Sequence, residues 1–179
     1  MRRDGIAGPI ALGLCALLLA CGSATDQGPV RPPGSAAQVP AGASPITLLP
    51  LPDSAGSVRI YTGVAEPAHF VLGDAAQWAA LWGRVAANLY PHPPAPAVDF
   101  ERHMVVAAAM GMKPTGGYTV TIDAASRLRD TIYVVVREVS PGDRCAVPQV
   151  MTAPFAAALL PRSADPVLFV EHAEVHQCS

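Results

Sequence analysis

The stretch GMKPTGGYTV, residues 111–120, contains glycine, lysine and threonine, the residue types that bind phosphate in glycine-rich loops. Such loops end in Gly-Lys-Ser/Thr and lead into a helix. Here Lys113, the only lysine of the chain, precedes the Gly116-Gly117 pair, and a segment with strand-like alternation follows. The order of residues therefore predicts a tight connection between two strands, in which glycine supplies backbone freedom, and not a phosphate loop.

The C-terminal run EHAEVHQCS contains residue types that bind metals. Alternate side chains of an extended strand share a face, so His172, Glu174, His176 and Cys178 are expected to project together. These are ligand types of zinc and copper. However, side chains along one face of a strand diverge, and a disulfide would remove Cys178. We therefore interpret the three remaining residues as weak metal candidates on a solvated strand, and expect no cofactor.

The sequence shows no arrangement typical of an enzyme active site. A Gly-x-Ser-x-Gly nucleophile elbow is absent, and the five histidines are scattered apart from the last two. The formal net charge is −2 and basic residues form no block, which argues against nucleic-acid binding. We therefore expect a protein that is not an enzyme and that has no nucleic-acid partner.

The N-terminus has the pattern of an export signal. A basic start, Met1–Arg3, precedes the apolar run Ile6–Ala20, and Cys21 follows directly. This ending resembles the lipobox of bacterial lipoproteins, whose cysteine receives a diacylglyceryl group with acyl chains such as palmitate. We therefore predict a signal peptide over residues 1–20 and a lipid anchor at Cys21. Gly22 favours the outer membrane and a periplasm-facing position. An ordinary secretory signal, the alternative, also gives an exported protein.

The next segment separates the anchor from the body of the protein. Residues 21–56 are rich in glycine, alanine, serine and proline, and show neither helical nor strand periodicity. This composition cannot bury much apolar surface. We therefore predict a disordered tether over residues 21–56 and a globular domain over residues 57–179.

Two cysteines, Cys145 and Cys178, fall within the predicted domain. An exported protein meets an oxidising environment, so we expect them to form a disulfide that ties the C-terminus to the domain. A bridge of this kind typically contributes about 2–4 kcal/mol to stability. A bond to another chain, or two free thiols, are the alternatives.

Periodicity within the domain predicts strands and one helix. Asp74 and Gln77 have the spacing of a capping box, and apolar residues then recur at helical spacing: Trp78, Leu81, Trp82, Val85 and Leu89. The apolar run His103–Met110 suits a central strand buried on both faces. Residues 118–124 and 131–138 are typical of a hairpin. The predicted fold class is α+β, a mostly antiparallel β-sheet with one amphipathic helix packed on it.

Several short segments resemble a known family in their order along the chain. They are GMKPTGGYTVTI at 111–122, Val139–Pro141, Val147–Gln149, Thr152–Phe155 and Pro161–Arg162. This order resembles the C-terminal domain of the protease complex subunit PrcB family. Trp78-x-x-Leu81-Trp82 and Val98–Phe100 are also similar to longer members. The similarity extends over about residues 57–172 and is most specific over residues 103–162.

The resemblance implies a bacterial lipoprotein that is an accessory, non-proteolytic subunit of a cell-envelope protease complex. It supplies no catalytic residue and does not identify the protease. We expect a protein partner, bound at a sheet edge or at the turn formed by Lys113, Thr115, Gly116, Gly117 and Tyr118. The alternative is a periplasmic lipoprotein that binds a small ligand or a metal, through its C-terminal tail or a pocket beside the tryptophans.

Replacing Cys21 with serine is expected to abolish membrane retention, because serine does not accept the thioether-linked lipid and the acyl chains supply the membrane affinity. Fractionation of cells grown with a labelled fatty acid measures both retention and acylation. Cys15→Ser, which changes the other cysteine of the N-terminal region, is the matched control and should leave retention unchanged. Incorporation of the label into the Cys21→Ser chain would show that the lipobox assignment is wrong.

Overall fold

The computed structural model describes residues 38–51 and 60–178, and the predicted signal peptide, Cys21 and most of the predicted tether lie outside them. The described part contains eight strands and one helix: β1 Ser44–Ile46, β2 Leu49–Pro50, β3 Pro67–Leu72, α1 Ala75–Val85, β4 His103–Met110, β5 Thr119–Leu128, β6 Thr131–Pro141, β7 Phe155–Pro161 and β8 Val167–His176. No helix among these residues is long and apolar enough to cross a membrane.

The strands form two four-stranded sheets, with the orders β1-β5-β6-β8 and β2-β7-β4-β3. All neighbouring strands are antiparallel except β6 and β8, which run parallel. The predicted α+β fold, mostly antiparallel with one helix in the described part, is confirmed. The sequence pattern does not predict the division into two sheets or the parallel pair, because alternation within a strand carries no information about its neighbours.

Strand β4 lies at the centre of the fold and is buried on both faces. Its alternate residues Met104, Val106, Ala108 and Met110 pack in the core between the two sheets. The intervening residues Val105, Ala107 and Ala109 pack in a second core against α1. A strand with two buried faces requires a continuous apolar sequence, so the prediction made from His103–Met110 is confirmed.

Helix α1 begins after Asp74, whose carboxylate accepts a hydrogen bond of 2.8 Å from the backbone N–H of Gln77, as the capping pattern predicts. Its apolar stripe faces the sheet, and both tryptophans are buried. The indole N–H of Trp78 donates to the carbonyl of Pro96 and that of Trp82 donates to the carbonyl of Pro93, each at 2.9 Å. The tryptophans therefore hold the proline-rich connector in the core and do not form an open stacking platform.

Residues 44–50 belong to the fold, so the prediction of a structureless tether up to residue 56 is wrong for them. Strand β1 pairs with β5, and β2 pairs with β7. Ile46, the last residue of β1, and Leu48, which lies between the two strands, pack against the core between the sheets. Strands of two and three residues are too short to show a period of two, and their prolines hide them further.

Replacing Gly111 with alanine is expected to lower the free energy of unfolding by about 1–3 kcal/mol. Its φ is +68°, and an added Cβ would lie 2.7 Å from the nitrogen of Pro67 and 2.8 Å from the carbonyl oxygen of Ala65. Gly83→Ala is the matched control, because nothing lies within 4 Å of that Cβ. Because Gly83 lies within α1, its replacement with alanine should raise the free energy of unfolding by about 0.5–1 kcal/mol. Urea denaturation measures the stability of both variants. Equal stability of Gly111→Ala and the wild type would contradict the positive φ and the lack of space for a Cβ at this position.

Candidate functional site

The loop between β4 and β5 is held in one shape by the segment that precedes β7. Lys113 and Thr152 exchange two backbone hydrogen bonds, of 2.7 and 3.0 Å. The hydroxyl of Thr152 also donates to the carbonyl of Thr115 at 2.8 Å. The N–H of Gly116 donates to the carbonyl of Pro148 at 2.9 Å. The loop is therefore a bonded connection between two strands, as the sequence order predicts.

The five residues predicted as a contact surface have different roles in this loop. Gly116 is buried, and Gly117 has a φ of +87° with a Cβ position only 2.8 Å from Val147 Cγ1. The two glycines therefore allow the backbone of the loop to adopt its conformation. The ammonium of Lys113 lies 5.6 Å from the centroid of the Tyr118 ring, a cation–π distance. Lys113, Thr115 and Tyr118 are half-buried and offer side chains at the surface; contact with a partner stays a prediction.

A group of exposed apolar side chains lies beside this loop. Its members, which we call the Met–Tyr surface, are Ile60, Tyr61, Met112, Val150 and Met151. Backbone bonds bring the three segments together: the N–H of Ala153 donates to the carbonyl of Ile60 at 2.7 Å, and Tyr61 forms a bridge with Ala153. The bridge between Lys113 and Thr152 brings the segments that carry Met112 and Met151 together in the same way.

Three members of the Met–Tyr surface line a cavity of about 130 Å³, whose full lining is Tyr61, Thr62, Asn88, Met112, Met151, Thr152 and Ala153. Its polar lining is internally bonded. The hydroxyl of Thr62 donates to the carbonyl of Ala153 at 2.8 Å, and the Asn88 amide donates to the carbonyl of Thr62 at 3.0 Å. Sites for small ligands usually measure about 300–1,000 Å³. This cavity instead suits a single apolar side chain of a protein partner.

A larger groove of about 390 Å³ lies between β2, β5 and β7. Its size is compatible with the alternative function, the binding of a small ligand. Its one charged lining residue, Asp123, accepts hydrogen bonds of 2.6 Å from Arg137 Nε and from the Thr121 hydroxyl. The hydrogen bond from Arg137 lowers the pKa of Asp123. Because this carboxylate is already bonded within the domain, the groove offers no unpaired charged group to fix the orientation of a ligand.

Charged side chains gather at the edge of the two sheets near the loop. The His69 ring stacks on Phe169 with centroids 4.3 Å apart, and its Nε2 lies 3.4 Å from Glu171 Oε1. Burial lowers the pKa of His69, and the Glu171 carboxylate opposes this effect. Burial raises the pKa of Glu138, Glu171 raises it further, and Lys113 lowers it. Lys113 thus compensates part of the negative charge of the half-buried Glu138.

The predicted metal-binding tail forms the end of β8. It pairs in parallel with β6 as far as His176. The predicted disulfide is present in the structure: Cys178 is bonded to Cys145 with an S–S distance of 2.03 Å. In the part of the chain that the structure describes, no group of three or more His, Cys, Asp or Glu side chains could hold a metal ion. His172, Glu174 and His176 are therefore strand residues that the structure does not bring together with a further ligand.

Sequence reasoning located the loop but missed the Met–Tyr surface and Glu138. A signal existed for both. Met112 and Met151 fall in loops outside the alternating segments, where an apolar side chain has no core to join. Glu138 follows the buried Val134 and Val136 at intervals of two, so strand parity directs it inward.

Comparison with known proteins identifies one family. Residues 104–161, about a third of the chain, match the family model described as PrcB C-terminal. The resemblance found in the sequence is therefore confirmed over these residues. They include the loop, Met112, Val150 and Met151, but not Ile60 or Tyr61. No curated protein and no solved structure matches the chain.

Replacing Glu138 with glutamine is expected to raise stability at neutral pH. The pKa of Glu138 is raised in the folded state, so folding favours its protonated form. The stability linked to this proton is present at acid pH and is lost as the pH rises through the raised pKa. Glutamine stays neutral, so the variant should be more stable than the wild type at pH 7 and lose this advantage below about pH 4.

Thermal unfolding across this pH range measures the difference between the two chains. Glu101→Gln, which removes a carboxylate from an exposed position, is the matched control for a simple change in net charge. A constant difference between Glu138→Gln and the wild type at every pH would contradict the burial of a charged Glu138.

Proposed function

We propose that this chain is an exported, lipid-anchored accessory subunit without a catalytic role, which binds a protein partner within a cell-envelope protease complex. The match of residues 104–161 to the PrcB C-terminal family supports the accessory role and a protein partner in a protease complex. The sequence around Cys21 supports the anchor and the place in the envelope. The observation that carries the binding role is the Met–Tyr surface beside the loop.

The clustering of exposed apolar side chains distinguishes this surface from the rest of the domain. Ten large apolar residues are exposed among the described residues, and five of them belong to the Met–Tyr surface. Single exposed apolar residues are ordinary, whereas a contiguous group around a cavity is typical of an interaction site. Methionine adapts its shape to a partner, and tyrosine supplies a large anchor with few rotatable bonds.

The backbone hydrogen bonds beneath the Met–Tyr surface favour binding, because few groups have to become ordered when a partner binds. The segments that carry Tyr61, Met112 and Met151 are linked by backbone hydrogen bonds to Ala153 and Thr152. Pre-organisation of this kind reduces the entropy lost on association.

The Met151→Lys variant is expected to bind its partner at least about tenfold more weakly, because a charge would be buried in the apolar centre of the interface. Affinity capture from detergent-solubilised native membranes, with quantification of co-purified proteins, measures this loss. Leu168→Lys is the matched control: Leu168 is also exposed, but lies at the start of β8, far along the strand from the loop.

A photo-crosslinking amino acid at residue 151 or 168 in living cells gives the second measurement. The proposal expects residue 151, but not 168, to crosslink to the protein that the wild type captures. Capture of a protease subunit supports the full proposal, and capture of another protein limits it to the binding role. Equal capture by both lysine variants, or recovery of the chain alone, would contradict the proposed surface.

A further inference from the structure

The four methionines that the structure describes fall into two opposite environments. Met104 and Met110 are each 2% exposed and pack in the core between the sheets. Met112 and Met151 are 56% and 63% exposed, and both line the cavity of the Met–Tyr surface. An oxidant reaches a thioether through solvent, so exposure separates an accessible pair from a protected pair within one chain.

We propose that Met112 and Met151 are a paired oxidation site, and that their conversion to sulfoxides switches off the apolar contact of the Met–Tyr surface. The reactant is a peroxide. The thioether sulfur attacks one oxygen of hydrogen peroxide and the O–O bond breaks. The sulfur keeps that oxygen and loses two electrons, while the other oxygen leaves as water with both protons. The biological meaning of the switch rests on the proposed function.

Oxidation at these positions changes the surface without breaking the bonds that shape it. The N–H of Met112 donates to the carbonyl of Ala65 at 2.8 Å, and the neighbouring Lys113 and Thr152 exchange two backbone bonds. None of these bonds uses sulfur. The oxidised chain therefore keeps its fold and presents two polar S=O groups where it had two apolar side chains.

A partner that covers this site removes the sulfoxide oxygens from contact with water. The hydroxyl of Thr62, which lines the cavity, already donates to the carbonyl of Ala153. Burying an unpaired polar group opposes association. A partner that covers both sulfurs also slows their oxidation, because it shields them from peroxide in solution.

The test uses the full chain carrying Cys21→Ser, so that no acyl chain binds the probe, which is the apolar dye 8-anilinonaphthalene-1-sulfonate. Mass spectrometry of proteolytic peptides follows sulfoxide formation in hydrogen peroxide, and dye fluorescence follows the apolar surface. Met112 and Met151 should be oxidised at least about tenfold faster than Met104 and Met110. Dye fluorescence should fall to the level of an unoxidised Met112→Gln/Met151→Gln chain, and methionine sulfoxide reductase should restore it.

Met112→Leu/Met151→Leu is the matched control, because leucine keeps the apolar surface and cannot be oxidised. It should bind the dye as the wild type does and keep that binding in peroxide. Oxidation of Met104 or Met110 at a comparable rate would overturn the inference. So would unchanged dye fluorescence after both sulfoxides have formed, or equal dye fluorescence of the untreated chain and the Met112→Gln/Met151→Gln chain. Success here with no partner captured from membranes would leave the oxidation site in place and contradict only the protein-binding function.

Discussion

The burial of β4 on both faces is the constraint on which the rest of the structure depends. A strand of small and β-branched apolar residues cannot leave either face in water, so one face requires α1 and the other requires the second sheet. The two tryptophans of α1 fill one layer and bind the proline-rich connector through their N–H groups. On the other side, β5 and β6 close the second layer over Met104 and Val106.

The same constraint produces the exposed surface at the end of β4. The strand must leave the core abruptly after Met110, and Gly111 makes this possible with a positive φ in a space that admits no side chain. The next residue, Met112, is therefore directed into solvent. The pairing of Lys113 with Thr152 then brings in the segment that carries Met151, and both methionines line one cavity. The burial of β4 on both faces thus leads to two exposed methionines, Met112 and Met151, which a second chain can cover.

Local chemistry explains which parts of this structure the sequence predicts. Asp74 with Gln77 marks the start of α1, and the run His103–Met110 marks β4, because caps and continuous burial depend on neighbouring residues alone. The pairing of residues 44–50 with β5 and β7 depends on contacts between segments distant in the chain. The Met–Tyr surface depends on three such segments. Of the candidate site, the sequence located the loop that carries Lys113, but not the apolar residues that the loop places together.

The extent of the family match separates two contributions to the Met–Tyr surface. Residues 104–161 include all but the first residue of β4, the loop, β5, β6 and β7. They therefore contain Met112, Val150 and Met151 together with the two backbone bonds between Lys113 and Thr152. Ile60 and Tyr61 lie outside the match and join the surface through Ala153. If the accessory role belongs to the matched domain, the methionine side of the surface carries the general contact. Tyr61 closes the same cavity from a segment that the family model does not include, so its part of the surface is not explained by the family match.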